Sequence, residues 1–271
     1  MSETVVTASA LQAISAQLEG SAPEEIIRWA HGVFGRRLAV LSAMQKAGSV
    51  VCQMVSNLGL QNDIDILFVD TGVNFHETYD TIERMRHGYG LNIISLHPER
   101  TMAQQTADEG VLYLTRPGQE RCCTLRKKEP LKQIVGKYDA MIGSLRRAEG
   151  GKRATIPVLS IDAELKHIRV HPIFSMTDEQ LESLVVERQT IINPLHNQGY
   201  PTISCDRCTT PVVEGEDKRA GRWRHLQNSP EYCAINPTDR SKRAGAPEES
   251  VTLDAAVAAK LLAPPALSQL R

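Results

Sequence analysis

Ile64-Asp-Ile-Leu-Phe-Val-Asp-Thr-Gly72 is the stretch that decides the fold. Ile64 to Val69 is apolar but for Asp65, and it stops at an Asp-Thr-Gly turn, the pattern of a buried strand. Phe75–Gly88 then reads as a helix and Leu91–Leu96 as a second strand. Upstream, the run Leu38–Leu41 reads as a strand and Ser49–Leu58 as the helix that follows it. Downstream, Tyr138–Ile142 and Ile168–Ile173 read as further strands. Strands alternating with helices predict an α/β fold, a parallel sheet with right-handed crossovers and helices on both faces. Such sheets bind ligands at the carboxyl ends of their strands. Asp70, Thr71 and Gly72 fall at such an end, before a helix N-terminus that suits an anion or a nucleotide hydroxyl. The same three residues also read as a tight turn.

From Ala8 to Gly35 the apolar spacing predicts two amphipathic helices, with Leu11, Ile14 and Leu18 on one and Ile26, Ile27, Ala30 and Val33 on the other. Thr177-Asp-Glu-Gln180 reads as a capping box opening a helix. Ile192–Glu216 is rich in Pro, Gly and Cys and reads as a loop built around a metal. At Arg240-Ser-Lys-Arg-Ala-Gly-Ala-Pro the chain turns basic and flexible, and Val251–Leu262 is long enough for a short helix. The expected organisation is one domain over residues 1–238 and a flexible tail over 239–271. A chain of 271 residues can bury a large core. Its net charge of −1 argues against a general nucleic-acid or membrane-surface binder. No run of about 18 apolar residues predicts a membrane span, and no secretory signal is visible at the N-terminus. The expected location is therefore cytoplasmic.

In such a compartment six cysteines point to metal or catalysis rather than to structural disulfides. Four of them form two close pairs far apart in sequence, Cys122-Cys123 and Cys205-Asp-Arg-Cys208. Thiolates are soft ligands for iron–sulfur clusters or zinc, and the spacing alone leaves both open. Adjacent side chains diverge on a helix or strand, which suits separate corners of a cluster better than one ion.

The first pair sits in Arg121-Cys-Cys-Thr-Leu-Arg-Lys-Lys-Glu-Pro-Leu131 and the second ends Asn193-Pro-Leu-His-Asn-Gln-Gly-Tyr-Pro-Thr-Ile-Ser-Cys-Asp-Arg-Cys208. Both segments resemble the assimilatory sulfonucleotide reductases, in the branch that carries a [4Fe–4S] cluster and mostly uses adenylyl sulfate. The resemblance implies an adenine-nucleotide alpha-hydrolase-like fold and a cluster on Cys122, Cys123, Cys205 and Cys208. It implies thioredoxin-dependent reduction of adenylyl sulfate to sulfite and AMP through an enzyme thiosulfonate, with thioredoxin or glutaredoxin as reductant. It leaves self-association open. It extends to Asp70-Thr-Gly-Val-Asn-Phe-His-Glu-Thr78, to Gly143-Ser-Leu-Arg-Arg147 and to Gly215-Glu-Asp-Lys-Arg-Ala-Gly-Arg-Trp223. It thereby implies that Lys127, Arg146, Arg147, Arg219 and Arg222 hold the phosphosulfate with Asp70, Thr71 and Gly72. Arginine forks and a lysine point charge suit such oxyanions.

The nucleophile implied by the resemblance is Cys233. Its surroundings depart from the family's E-C-G-L-H: Tyr232 stands for Glu, Ala234 for Gly and Asn236 for His. The nucleotide turn departs as well, with Ala43-Met-Gln-Lys-Ala-Gly-Ser-Val50 where the family has S-F-G-x-E/Q-x-A-V. Met176 stands where the family has Trp. These departures leave two alternatives: a repurposed paralogue acting on another nucleotide or sulfur acceptor, or a non-catalytic iron–sulfur nucleotide-binding protein. Cys52, inside the apolar helix, is expected to be buried and inert.

Overall fold

The computed structural model describes residues 2–230, 232, 235–240 and 245–265. Strand β1 (Glu3–Thr7) runs directly into α1 (Ala8–Leu18), and α2 (Pro23–Phe34) follows. In α2, Pro23 occupies the first turn, where its missing N–H costs nothing, and Glu24 and Glu25 face the positive helix end. β2 (Leu38–Leu41), α3 (Lys46–Asn57), β3 (Asp65–Val69), α4 (His76–Tyr89) and β4 (Ile93–Leu96) then alternate as the sequence predicts. A helical excursion of α5 (Met102–Glu109), α6 (Arg116–Cys123) and the single-turn α7 (Glu129–Lys132) precedes β5 (Ala140–Ile142). β6 (Leu159–Asp162) and β7 (His167–Val170) form an antiparallel pair, and α8 (Asp178–Glu187) opens on the predicted capping box. The expected strand over Ile168–Ile173 lies slightly earlier in the chain.

The main sheet has the order β4-β3-β2-β5-β7-β6, parallel except for β6. Its strands are buried on both faces, which is why they read as continuous apolar runs. Alternate residues divide between two cores. Val40, Ile66, Phe68, Ile142 and Ile168 join the larger core with α1, α2, α3 and α8. Ala39, Leu67, Leu96 and Met141 join a smaller core on the other face, with Leu131 and Ile134 from α7 and just beyond it. Arg169 of β7 lies on that second face and pairs with Asp162 at 2.8 Å, both essentially fully buried. The Arg240 guanidinium caps the same carboxylate at 3.2 Å, and Ile235 packs on the second core.

The expectation of a flexible tail from residue 239 onward is corrected over Ser250–Leu262. β8 (Ser250–Asp254) pairs antiparallel with β1, in the register Val5↔Thr252, and α9 (Ala255–Leu262) buries Ala258 and Leu261 in the larger core. The foreseen helix begins four residues late because Ser-Val-Thr-Leu alternates: Val251 and Leu253 are buried, Ser250 and Thr252 exposed. Among the described residues no helix is long and apolar enough to cross a membrane.

Candidate active site

The first cysteine pair closes α6, which leans on the turn before it. A Cβ on Gly118 would lie 2.1 Å from the Leu112 carbonyl oxygen, so only glycine allows this approach. The helix then widens into a π turn, Thr124–Lys128, a feature often found at functional sites. There Arg126 and Lys127 are both buried.

The second pair lies in the long loop after α8. That loop is stitched to the β3–α4 turn by an Asp206 N–H donating to the Val73 carbonyl at 2.9 Å. It is stitched to the following segment by Trp223 N–H to Cys208 O at 3.0 Å and Thr210 N–H to Gly221 O at 2.9 Å. The loop also meets the turn after β2: the Ile203 N–H donates to Gln45 Oε1 at 2.9 Å, and the Lys46 N–H to His196 Nε2 at 3.0 Å. In that turn Met44, fully buried, takes a positive φ of 54°.

These tethers bring Cys122, Cys123, Cys205 and Cys208 to the wall of one small cavity, walled also by Val73, Met102 and Trp223 and by the cations Arg126, Lys127 and Arg207. Polar groups surround the sulfurs. Gln119 Nε2 lies 3.0 Å from Cys123 Sγ, Gln105 Nε2 3.5 Å from Cys122 Sγ, and Thr71 Oγ1 3.3 Å from Cys205 Sγ. Burial pushes the Cys122 thiol up, and burial with the neighbouring Cys205 and Cys123 pushes Cys208 up to about 12. Buried thiols of this kind ionise when a metal cation replaces their protons. Four soft ligand atoms on one cavity wall, with the amide donors of Gln119 and Gln105 beside them, fit an iron–sulfur group. Among the described residues no group of three or more Cys, His, Asp or Glu side chains is drawn together closely enough to hold a metal ion.

The predicted cations divide. Lys127 Nζ donates to Ser204 Oγ at 2.7 Å, next to Cys205. Arg222 is buried against Trp223, its Cζ 4.4 Å from the ring centroid, and donates to Thr209 Oγ1 at 2.9 Å. Among the described residues, Arg222 Nε and Trp223 Nε1 have no hydrogen-bond partner. Arg219 stacks on Tyr232 at 4.7 Å. Arg146 is held by Asp178 at 2.8 Å, a carboxylate that also takes Lys218. Of the predicted cations only Lys127 walls the cavity; Arg146, Arg147, Arg219 and Arg222 do not, and Arg147 lies away from the others. It turns to Glu19 of α1, to the Ile156 carbonyl and over the Phe174 ring.

At the end of β3, Asp70 Oδ1 accepts from the Gly72 N–H at 2.8 Å, from Asn74 Nδ2 at 3.1 Å and from the Tyr79 hydroxyl at 2.8 Å, as a tight turn requires. Thr71 is the turn residue that reaches the cysteines. Arg126 was missed by sequence reasoning, which took Lys127 from the same Arg-Lys pair. Its Nε donates to the Thr71 carbonyl at 2.5 Å and its Nη1 to Gln105 Oε1 at 3.2 Å. Cys52 is fully buried, and its thiol is pushed up to about 12 by that burial. Cys233 lies outside the described residues.

The family model described as the phosphoadenosine phosphosulfate reductase domain matches residues 37–211. The chain belongs to the sulfonucleotide reductase family. It is 36% identical over 213 residues to adenosine 5'-phosphosulfate reductase of Mycobacteroides abscessus, covering 78% of this chain and 87% of that one. It is 37% identical over 207 residues to the protein of that name from Streptomyces coelicolor, covering 76% and 86%. It is 36% identical over 200 residues to adenosine 5'-phosphosulfate reductase 1 of Bacillus subtilis, covering 73% and 84%. Among solved structures, phosphoadenylyl-sulfate reductase from Candida auris superposes with a TM-score of 0.65 at 20% identity, over 76% of this chain and 98% of that one, a likeness of fold. The range matched by the reductase domain holds all four cavity cysteines, Lys127 and Arg126. Arg219, Arg222 and Cys233 lie beyond it, as do β1, α1, β8 and α9.

Proposed function

We propose that this chain reduces adenylyl sulfate (adenosine 5'-phosphosulfate) to sulfite and AMP, with a [4Fe–4S] cluster on Cys122, Cys123, Cys205 and Cys208 and a thioredoxin-type dithiol as reductant. The observation that carries the reading is the meeting of those four sulfurs, three of them on buried residues, with the buried Arg126 and Lys127 at the carboxyl end of the sheet, where α/β folds bind ligands. The curated relatives carry the name of this activity.

Lys127, Arg219 and Arg222 hold the anionic phosphosulfate, and Trp223 Nε1 offers a further donor. Bound beside them, the cluster supplies a fixed electrostatic environment and does not cycle electrons. The Cys233 thiolate attacks the sulfate sulfur. An S–S bond forms, and the S–O bond to AMP breaks with its electron pair on the phosphate oxygen. A thiolate of the dithiol then attacks Cys233 Sγ, sulfite leaves with the S–S pair, and the second thiol frees Cys233 as the dithiol becomes a disulfide. The two electrons that take sulfur from sulfate to sulfite thus come from the dithiol.

Anaerobically purified protein should contain about four irons per chain and release sulfite and AMP from adenylyl sulfate with thioredoxin. It should show a lower kcat/KM for the 3'-phosphorylated nucleotide. Stoichiometric zinc without iron, or nucleotide binding without sulfite, would overturn the proposal.

A further inference from the structure

Two buried glutamines stand behind the adjacent cysteines, and each has its amide turned by an arginine. Gln119, on the cavity wall and 2% exposed, donates its Nε2 to Cys123 Sγ at 3.0 Å and accepts on Oε1 from Arg116 Nη1 at 2.7 Å. Gln105, 1% exposed, holds its Nε2 3.5 Å from Cys122 Sγ and 3.7 Å from Met102 Sδ, and accepts on Oε1 from Arg126 Nη1 at 3.2 Å. A guanidinium can only donate, so each amide oxygen must face its arginine and each N–H its sulfur. Flipping either amide would set donor against donor and give up the sulfur contact.

The first of these lines is local. Arg116, Gln119 and Cys123 are spaced by three and then four residues along α6, so they fall on one face of the helix. Thr115 starts that helix by accepting the Gly118 N–H on its Oγ1 at 3.2 Å. Glu120 steadies the Arg116 guanidinium at 2.9 Å. The second line crosses the fold. Arg126, in the π turn after the cysteines, is anchored on the carbonyls of Thr71 at 2.5 Å and Arg100 at 3.0 Å, and from there it holds Gln105 of α5.

We infer that these two Arg–Gln relays relieve the charge of the adjacent cysteine pair: Gln119 and Gln105 give N–H···S hydrogen bonds to the Cys123 and Cys122 thiolates, and Arg116 and Arg126 are positioning residues that keep the amides in the donating orientation. This role presupposes the proposed cluster on the four cysteines. Neighbouring ligands put two anionic sulfurs side by side, where burial already opposes charge. An amide donor at each sulfur draws part of that charge away. A donor whose carbonyl accepts from a cation is polarised in the direction that strengthens its own N–H bond. Hydrogen bonds to ligating sulfurs hold the ligands in orientation and tune an iron–sulfur group.

The test uses cluster-loaded full-length protein and the variants Gln119→Met and Gln105→Met, which keep side-chain length and remove the donor. Iron release to an excess of chelator is timed, and the iron–thiolate stretching bands are recorded by resonance Raman spectroscopy after cluster assembly in H2O or D2O. The wild-type bands should shift in D2O, and the shift should shrink in both variants. Iron release should quicken about tenfold in each, the low end of what partners behind a metal ligand are worth. Arg116→Met acts on a side chain 36% exposed and leaves the cavity wall intact, so it should fall between wild type and Gln119→Met. Arg116→Lys still donates to the amide oxygen and should stay within about twofold of the wild-type rate. If a glutamine variant assembles no cluster, the two Arg116 variants decide. Wild-type bands and release rates in Gln119→Met, or in Arg116→Met, would overturn the relay and leave the iron–sulfur reading intact. A wild type that holds zinc or no iron would remove that reading, and the relay with it.

Discussion

Replacing Gly221 by alanine tests whether the loop carrying the second cysteine pair is held as tightly as its geometry implies. A Cβ there would sit 2.0 Å from the Thr210 carbonyl oxygen, 3.1 Å from its carbon and 3.3 Å from Val212 Cγ1. Relief requires the two backbones to part by about 1 Å, because carbon and oxygen rest no closer than roughly 3.2 Å. That shift breaks the Thr210 N–H···O=C Gly221 bond and strains the Trp223 N–H to Cys208 bond two residues on. Overpacking costs about 1–3 kcal/mol and a lost internal hydrogen bond about 0.5–1.5 kcal/mol, so the expected destabilisation is about 2–4 kcal/mol. For a chain of this size that lowers Tm by roughly 5–15 °C. The assay is Tm together with iron per chain after anaerobic desalting, with Gly20→Ala as control because nothing lies within 4 Å of its added carbon. Iron should be lost from Gly221→Ala and retained by the control. Full iron and an unchanged Tm in Gly221→Ala would refute the claim that this bracket holds Cys208 in place.

Lys127→Ala and Arg222→Ala should each weaken adenylyl sulfate by about 1.5–3 kcal/mol, the worth of a charge-assisted contact, while AMP loses much less; titration calorimetry with both ligands checks this, and equal losses would place these cations away from the sulfate. Acid should destabilise the protein from about pH 6.5 downward. Burial pushes His167 and His171 down to about 3 and His196 to about 4, with Arg169 adding for the first two and Lys46 for the third. The unfolded chain then binds more protons than the folded one below the ordinary histidine pKa, and each residue adds up to about 1.4 kcal/mol per pH unit to the slope. His171→Asn should flatten the dependence of Tm on pH between 6.5 and 5, and an identical slope would count against the buried neutral imidazole.

The legible parts of the fold were those whose physics is local. β2, β3 and β4 are short apolar runs closed by turns, and α8 announces itself through Thr177 and Gln180, which exchange side-chain and backbone bonds. β1 and β8 were not legible because each is stabilised by the other, with nearly the whole chain between them. The cysteine pairs were legible as pairs, and their convergence needed the stitching between the β3–α4 turn and the loop after α8. Arg146 and Arg147 show where a motif misleads. Arg146 is extended, with φ −133° and ψ 147°, so its neighbour points the other way: Arg146 goes to Asp178 and Arg147 to Glu19. The π turn gives no periodic signal, which is why Arg126 was passed over beside Lys127.

The pairing of β1 with β8 has a consequence for synthesis. Glu3–Thr7 leaves the ribosome long before Ser250–Asp254 exists to pair with it. Until then it is an open edge carrying Val5, which stays 61% exposed even in the finished protein, and Val6, which ends fully buried. Unpaired edges recruit other strands. The inner strands β2, β3 and β4 can assemble as they emerge, since their partners are close in sequence, whereas this small sheet is a late, long-range closure. A chain stopped before Ser250 would therefore retain the four cavity cysteines and most of the core, yet leave a hydrophobic edge exposed to its neighbours on the same polysome.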